Sequence, residues 1–255
     1  MRTHRRPVHV ILMATTVLVL ALASPASWAQ REMPFGEANL FFELNDTDGD
    51  LGIHSLIDGE AWKSLEIEDP FQRVMLNVLV NGRLGKQGLT ELFFESAEPP
   101  FDVLSPAQFF NRFPEGRYEI SAVTLSGGEL EATVRISHIL PGPPENVLLS
   151  GEPAAEDCDA APLPSVAEPV VIAWDPVTES HPEIGTPGRR IEVEHYQLVI
   201  EREGLALSVE LPPDVTEFEV PAALTQPGDE IKFEILVRAA GSGNQTAIES
   251  CFFVQ

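Results

Sequence analysis

The chain has 255 residues and carries 16 basic against 40 acidic side chains, a formal charge of −24. A polyanion of this size repels nucleic acid and anionic membrane surfaces, so neither is an expected partner. The length suits one or two domains, each able to bury a core of its own.

Residues 1–29 have the form of a secretory signal peptide. Arg2, Arg5 and Arg6 precede an almost purely apolar run from Val10 to Leu22, and Ser27-Trp28-Ala29 offers a small-x-small cleavage site. The apolar run is shorter than the about 20 residues a spanning helix needs, so no transmembrane segment is expected in the mature chain. No cysteine stands at the cleavage site, which argues against a lipoprotein. Cleavage would remove three basic and no acidic residues, leaving 13 against 40, a net of −27. The expected location is exported, periplasmic or extracellular.

Residues 32–150 read as a first β module. Asn39–Leu44 and Ile53–Ile57 are strands by their apolar and aromatic content, and Asp48-Gly49 between them favours a tight hairpin. Trp62, expected as a core anchor, is followed by Val74–Val80, whose even positions are all apolar, and then by the turn dipeptide Asn81-Gly82. Leu89–Phe94 gives another strand. Ser105-Pro106-Ala107-Gln108 is a capping box with Pro at the first helical position, opening a helical turn that Pro114 stops. Tyr118–Thr124 and Leu130–Ile139 pair across Ser126-Gly127-Gly128. Short strands with regularly spaced turns predict a β-sandwich. One Phe of each pair, Phe93-Phe94 and Phe109-Phe110, is expected in its core.

Asp46, Asp48 and Asp50 occupy positions 1, 3 and 5 of an oxygen-liganded Ca2+ loop. The loop departs from an EF-hand, with Leu51 where Gly and Ile57 where a bidentate Glu belong, and the flanks are strands. A Ca2+ site would need Asp58 or Glu60 to complete its shell, and an ordinary hairpin with acidic turn residues is the alternative. His54 and His138 have no second His or Cys at ligand spacing and read as surface or half-buried polar residues.

Leu140–Pro169 holds seven of the 22 prolines, six acidic residues and no basic one. Pro donates no backbone N–H, so this stretch predicts a semi-rigid acidic connector, centred on 151–164. Val147-Leu148-Leu149 reads as an edge strand added to the first module. The two cysteines, Cys158 and Cys251, are expected to pair in an oxidising compartment. Closing so long a loop contributes about 3–5 kcal/mol by chain-entropy arguments.

In residues 165–255, Leu205, Leu207, Val209 and Leu211 alternate, as do Ile231, Phe233 and Ile235, the pattern of sheets with one wet face. Val170-Val171-Ile172-Ala173-Trp174-Asp175-Pro176, His195–Glu201, Leu224–Ile235 and Arg238–Asn244 together resemble, in order and spacing, the strands of fibronectin type III modules. The resemblance covers about a third of the chain and implies a seven-stranded Greek-key sandwich serving as spacer or binding scaffold. The chain departs from that pattern at Ile231, where the family has a corner Tyr, and in an insertion from Thr178 to Arg190.

The fold class expected is therefore all-β: two tandem immunoglobulin-like β-sandwiches on a Pro-rich connector. No G-x-S-x-G, H-E-x-x-H, Walker or G-x-G-x-x-G motif occurs, so no enzyme is expected. The leading reading is a non-catalytic exported module that binds a protein or polysaccharide partner without a cofactor. A Ca2+-binding exported protein is the first alternative, and a carbohydrate hydrolase using two of the many carboxylates the second.

Overall fold

The computed structural model describes residues 32–255; the leader expected at 1–29 lies outside the described residues. Its most unusual element is a 19-residue strand, β3 (Asp50–Glu68), of which the sequence marked only Ile53–Ile57 as strand. The residues from Asp50 to Asp58 pair with β2 (Glu37–Asn45) on one side and with β5 (Leu89–Glu95) on the other. Beyond a register shift between Asp58 and Trp62, the same strand pairs with β4 (Val74–Leu79) and with β6 (Gly116–Thr124). At the bend, a Cβ on Gly59 would meet Leu130 at 3.0 Å and Phe35 at 3.1 Å, so the crowded corner suits a residue without a side chain. One strand thus serves both layers of the first sandwich, the device by which strands switch sheets.

The second layer is completed by β7 (Glu129–Ile136) beside β6, and by β1 (Glu32–Pro34), parallel to β7. Between the layers lie Leu40, Phe42 and Leu44 from β2, Ile57, Trp62, Leu65 and Ile67 from β3, and Tyr118 and Ile120 from β6. The short helix α1 (Pro106–Arg112) is opened by the capping box read from the sequence. It sinks Phe109 against Phe42, with the rings edge-on at 5.3 Å. Phe94 packs on this core, while Phe93 is 62% exposed. The Tyr118 hydroxyl donates to the Pro114 carbonyl four residues upstream, at 3.0 Å. A tyrosine corner is therefore present, but in the first sandwich. In the second, the fully buried Ile231 takes its place.

The second sandwich sets β12 (Val193–Arg202), β13 (Leu205–Leu211), β15 (Glu230–Ala239) and β16 (Gln245–Val254) in one sheet, ordered β13-β12-β15-β16. The facing sheet is β14 (Glu217–Glu219), β11 (Val171–Ala173), β8 (Leu148–Leu149) and β9 (Glu152–Pro153), in that order. Trp174, Tyr196, Ile200, Phe233 and Phe252 fill the space between, and the short β10 (Ser165–Val166) runs parallel to the end of β16. This is the two-sheet sandwich that the fibronectin resemblance implied.

Two expectations change. Val147–Leu149 does not extend the first module: β8 pairs with β11, and Leu149 is buried in the second core. The acidic Pro-rich stretch 151–164 does not span a gap. It lies on the second sandwich, forming β9, accepting a bond from Ser250 Oγ at the Ala155 carbonyl, and linking Cys158 to Cys251 on β16. A proline-rich segment tolerates this position because an edge needs fewer N–H donors.

The two sandwiches also share a sheet. β2 and β16 pair in parallel from Glu43–Gln245 to Asn45–Ala247. Just before β16, fully buried Asn244 accepts from the Phe42 N–H at 3.0 Å and donates to the carbonyls of Ser137 and Ile139 at 2.8 and 2.9 Å. Thr246 Oγ1 donates to the Pro141 carbonyl at 2.7 Å. Buried polar groups that find all their partners fix one geometry, because any other would leave them unpaired.

Candidate functional site

The Asp46–Asp50 hairpin lies at the seam. Asn45 Oδ1 accepts from the backbone N–H of Thr47 and of Asp48, both at 3.1 Å, and Asn45 Nδ2 donates to Asp48 Oδ2 at 3.0 Å. Gly49 takes the positive φ, 67°, that the Asp48-Gly49 turn requires. Asp46 points elsewhere and accepts from Nε2 of the buried His181 at 2.8 Å. His181 Nδ1 accepts from the N–H groups of Glu183 and Ile184, which places the ring proton on Nε2. Thus the insertion from Thr178 to Arg190, a departure from the fibronectin pattern, is what reaches the first sandwich. Ile184 packs on its core, and Thr186 N–H donates to the His138 carbonyl at 2.8 Å.

The three aspartates consequently face three environments. Asp50 turns toward Glu98, and its Oδ1 is buried without a partner. Burial, and then the charges of Glu98, Asp48 and Glu95, push its pKa up to about 6. Asp58 stands eight residues further along β3, roughly 26 Å away at strand rise, and Glu60 beyond it. Neither is placed to complete a shell around the hairpin.

A different set of donors converges. The β3–β5 register puts His54 opposite Glu95, and the β2–β3 register puts Glu43 opposite Gly52. Glu98, three residues past the end of β5, folds back over Gly52, where a Cβ would lie 1.8 Å from its Oε1. Glu98 Oε1 and His54 Nε2 are 2.8 Å apart. Atoms of His54, Glu95 and Glu98 able to ligate a metal all lie within 4.8 Å of one another, and among the described residues no other three His, Cys, Asp or Glu do so. On the other ring edge, His54 Nδ1 is 4.0 Å from Glu43 Oε2, which accepts from Gln245 Nε2 of β16 at 2.7 Å. Burial, the largest effect, pushes the Glu43 carboxyl up. Burial opposes the charged form of His54, but its bond to Glu98 and the charges of Glu43, Glu98 and Glu95 outweigh that and raise its pKa.

His54 is therefore not the surface or half-buried residue the sequence suggested. It is 5% exposed, its ring 5.5 Å from that of Phe41, over which the Arg238 guanidinium stacks at 4.3 Å. His138 matches the expectation, half-buried with Nε2 donating to the Phe113 carbonyl at 2.9 Å. The signal for the His54 cluster lay in the outward positions of three strands, Glu43, His54 and Glu95. Only the pairing register brings them together.

These side chains form one wall of a groove of about 510 Å3 across the seam, where Phe41, Phe93, Glu194 and Arg238 also contribute. A wider hollow of about 940 Å3 sits beside the β12–β13 turn, but the Arg202 and Asp229 that line it are paired with each other. Among the described residues, no helix is long and apolar enough to cross a membrane.

No family model matches the chain, and no curated protein matches it. It is similar to a crystal structure of the chicken CNTN1 FN1-FN3 domains, at 11% identity over 88% of this chain and 66% of that one, with a TM-score of 0.34. A two fibronectin type-III domain segment from chicken tenascin aligns at 13% identity over 86% of this chain and 98% of that one, with a TM-score of 0.29. A cytokine receptor complex aligns at 13% identity, covering 85% and 96%, with a TM-score of 0.28. The sandwich assignment rests on the strand order given above.

Proposed function

We propose that this is a non-catalytic exported protein, a rigid pair of β-sandwiches that binds a protein or polysaccharide partner or spaces one from another. The observation that carries the reading is the seam. Sandwiches joined by an ordinary linker move relative to each other. Here, shared strand pairing and the buried bonds of Asn244, Thr246 and His181 hold a shallow acidic groove in one shape. A preformed surface avoids the ordering cost a flexible one would meet on binding. The disulfide and the strongly negative charge favour an exported setting. The exposed Phe93, surrounded by carboxylates, suits a partner segment with apolar and basic groups.

Immobilised mature protein, challenged with envelope extracts and polysaccharide fractions, tests this against a Phe93→Asp variant. A partner retained by the parent and released by the variant supports the reading. Turnover of any retained polysaccharide would overturn its non-catalytic part.

A further inference from the structure

We infer that His54, Glu95 and Glu98 form a binding site for a first-row divalent cation of the Zn2+ type, with the Glu43 carboxylate on the far side of the imidazole. This goes beyond the binding role proposed above and does not depend on it.

The donor set selects the ion. One imidazole nitrogen with carboxylate oxygens suits Zn2+ and its neighbours, whereas Ca2+ and Mg2+ favour shells built of oxygen alone. Ligand atoms around a tetrahedral Zn2+ lie roughly 3.4 Å apart, given bonds of about 2.0–2.1 Å. The three donors, already within 4.8 Å of one another, need only small side-chain rotations to reach that spacing.

Three further observations set the cluster apart from an ordinary acidic surface. His54 is buried and sits on a paired strand, so its nitrogen is held in place at little further entropic cost. Gly52 lacks the positive φ that would call for glycine, yet any side chain there would displace the Glu98 carboxylate. The space is kept for that group. Finally, Glu43, held by Gln245, keeps its carboxylate 4.0 Å from His54 Nδ1, beyond hydrogen-bond reach but close enough to favour positive charge at the ring.

The charge balance points the same way. Glu43, Glu95 and Glu98 surround one imidazole, and among the described residues no Lys or Arg pairs with any of them. A dication would take the lone pair of His54 Nε2 in place of the proton now shared with Glu98, and that proton would leave to solvent. The three protein ligands leave a fourth position for water. Because Gln245 belongs to the second sandwich, the site touches both halves.

The test is calorimetric titration of metal-free mature protein with Zn2+, followed by Co2+ substitution read by visible absorption. The inference expects one equivalent bound at micromolar or tighter affinity. Glu98→Gln and His54→Gln should each weaken it at least about tenfold and abolish the Co2+ bands, whereas Asp48→Asn should leave both unchanged. Circular dichroism establishes that the variants are folded. If one is not, paramagnetic broadening by Co2+ in the unmutated protein decides, and it must centre on His54. No binding of Zn2+, broadening centred on His181 or His195, or a cation lost with Asp48→Asn but kept by Glu98→Gln would each overturn the assignment.

Discussion

His181 Nε2 donates to Asp46 Oδ1 across 2.8 Å, joining residues 135 positions apart and on different sandwiches. With Nδ1 saturated by two backbone N–H groups, the imidazole has one proton to give and one acceptor to receive it. Asp46→Ala leaves that buried donor unpaired and should destabilise the protein by about 1–3 kcal/mol. Asp46→Asn, which keeps an oxygen in place, should lose much less. Urea midpoints of the two variants check this, and equal midpoints would show that the contact does not stabilise the seam.

Asn244 should matter more. Its side chain accepts one backbone bond and donates two, all in a site with no water contact. Asn244→Ala strands one N–H and two carbonyls, for an expected loss of about 2–4 kcal/mol. Because the same groups hold the sandwiches together, calorimetry should resolve two melting transitions in the variant where the parent shows one.

Asp69 governs part of the acid limb. Its carboxylate accepts from the N–H groups of Phe71 and Arg73 and from Arg73 Nε, at 2.8, 3.0 and 2.7 Å. Burial alone would raise its pKa, but these bonds and the guanidinium charge hold it below the usual carboxylate value. A depressed folded-state pKa stabilises the protein above the unfolded pKa, near 4, and the stabilisation fades as pH falls through the folded value. Asp69→Asn should therefore cost about 1–2 kcal/mol at pH 7, and the difference from the parent should shrink as the pH falls below about 4. Melts across that range measure the convergence.

The Cys158–Cys251 bridge closes a separation of 93 residues and ties the acidic proline-rich stretch to β16. Replacing both cysteines by serine should lower stability by about 3–5 kcal/mol. Reduction of the parent should reproduce the shift in thermal midpoint, and a variant as stable as the parent would show that β9 and the bond from the Phe253 N–H to the Pro164 carbonyl, at 2.9 Å, anchor the stretch unaided.

Strand content, the capping box of α1 and the cysteine pair were legible because each is set by neighbouring residues or by elimination. The continuity of β3 was not. Its halves differ in partner, and the sequence marked a strand only as far as Ile57. Val147–Leu149 has the apolar content of a strand, but nothing local says which core it enters. The Asp46-x-Asp48-x-Asp50 spacing left a shared site open, yet Asp48 pairs with Asn45, Asp46 with His181, and Asp50 stands at the start of β3. The His54 cluster shows the converse: residues with no motif between them become neighbours through register between strands.

The shared pairing of β2 with β16 also decides how the chain can be divided. Either half made alone would present an uncovered strand edge, with β2 or β16 free to recruit a second molecule. Each sandwich is, in effect, the other's protection against fibrillar self-association, so truncation at the proline-rich stretch should yield insoluble fragments where the intact chain stays dispersed.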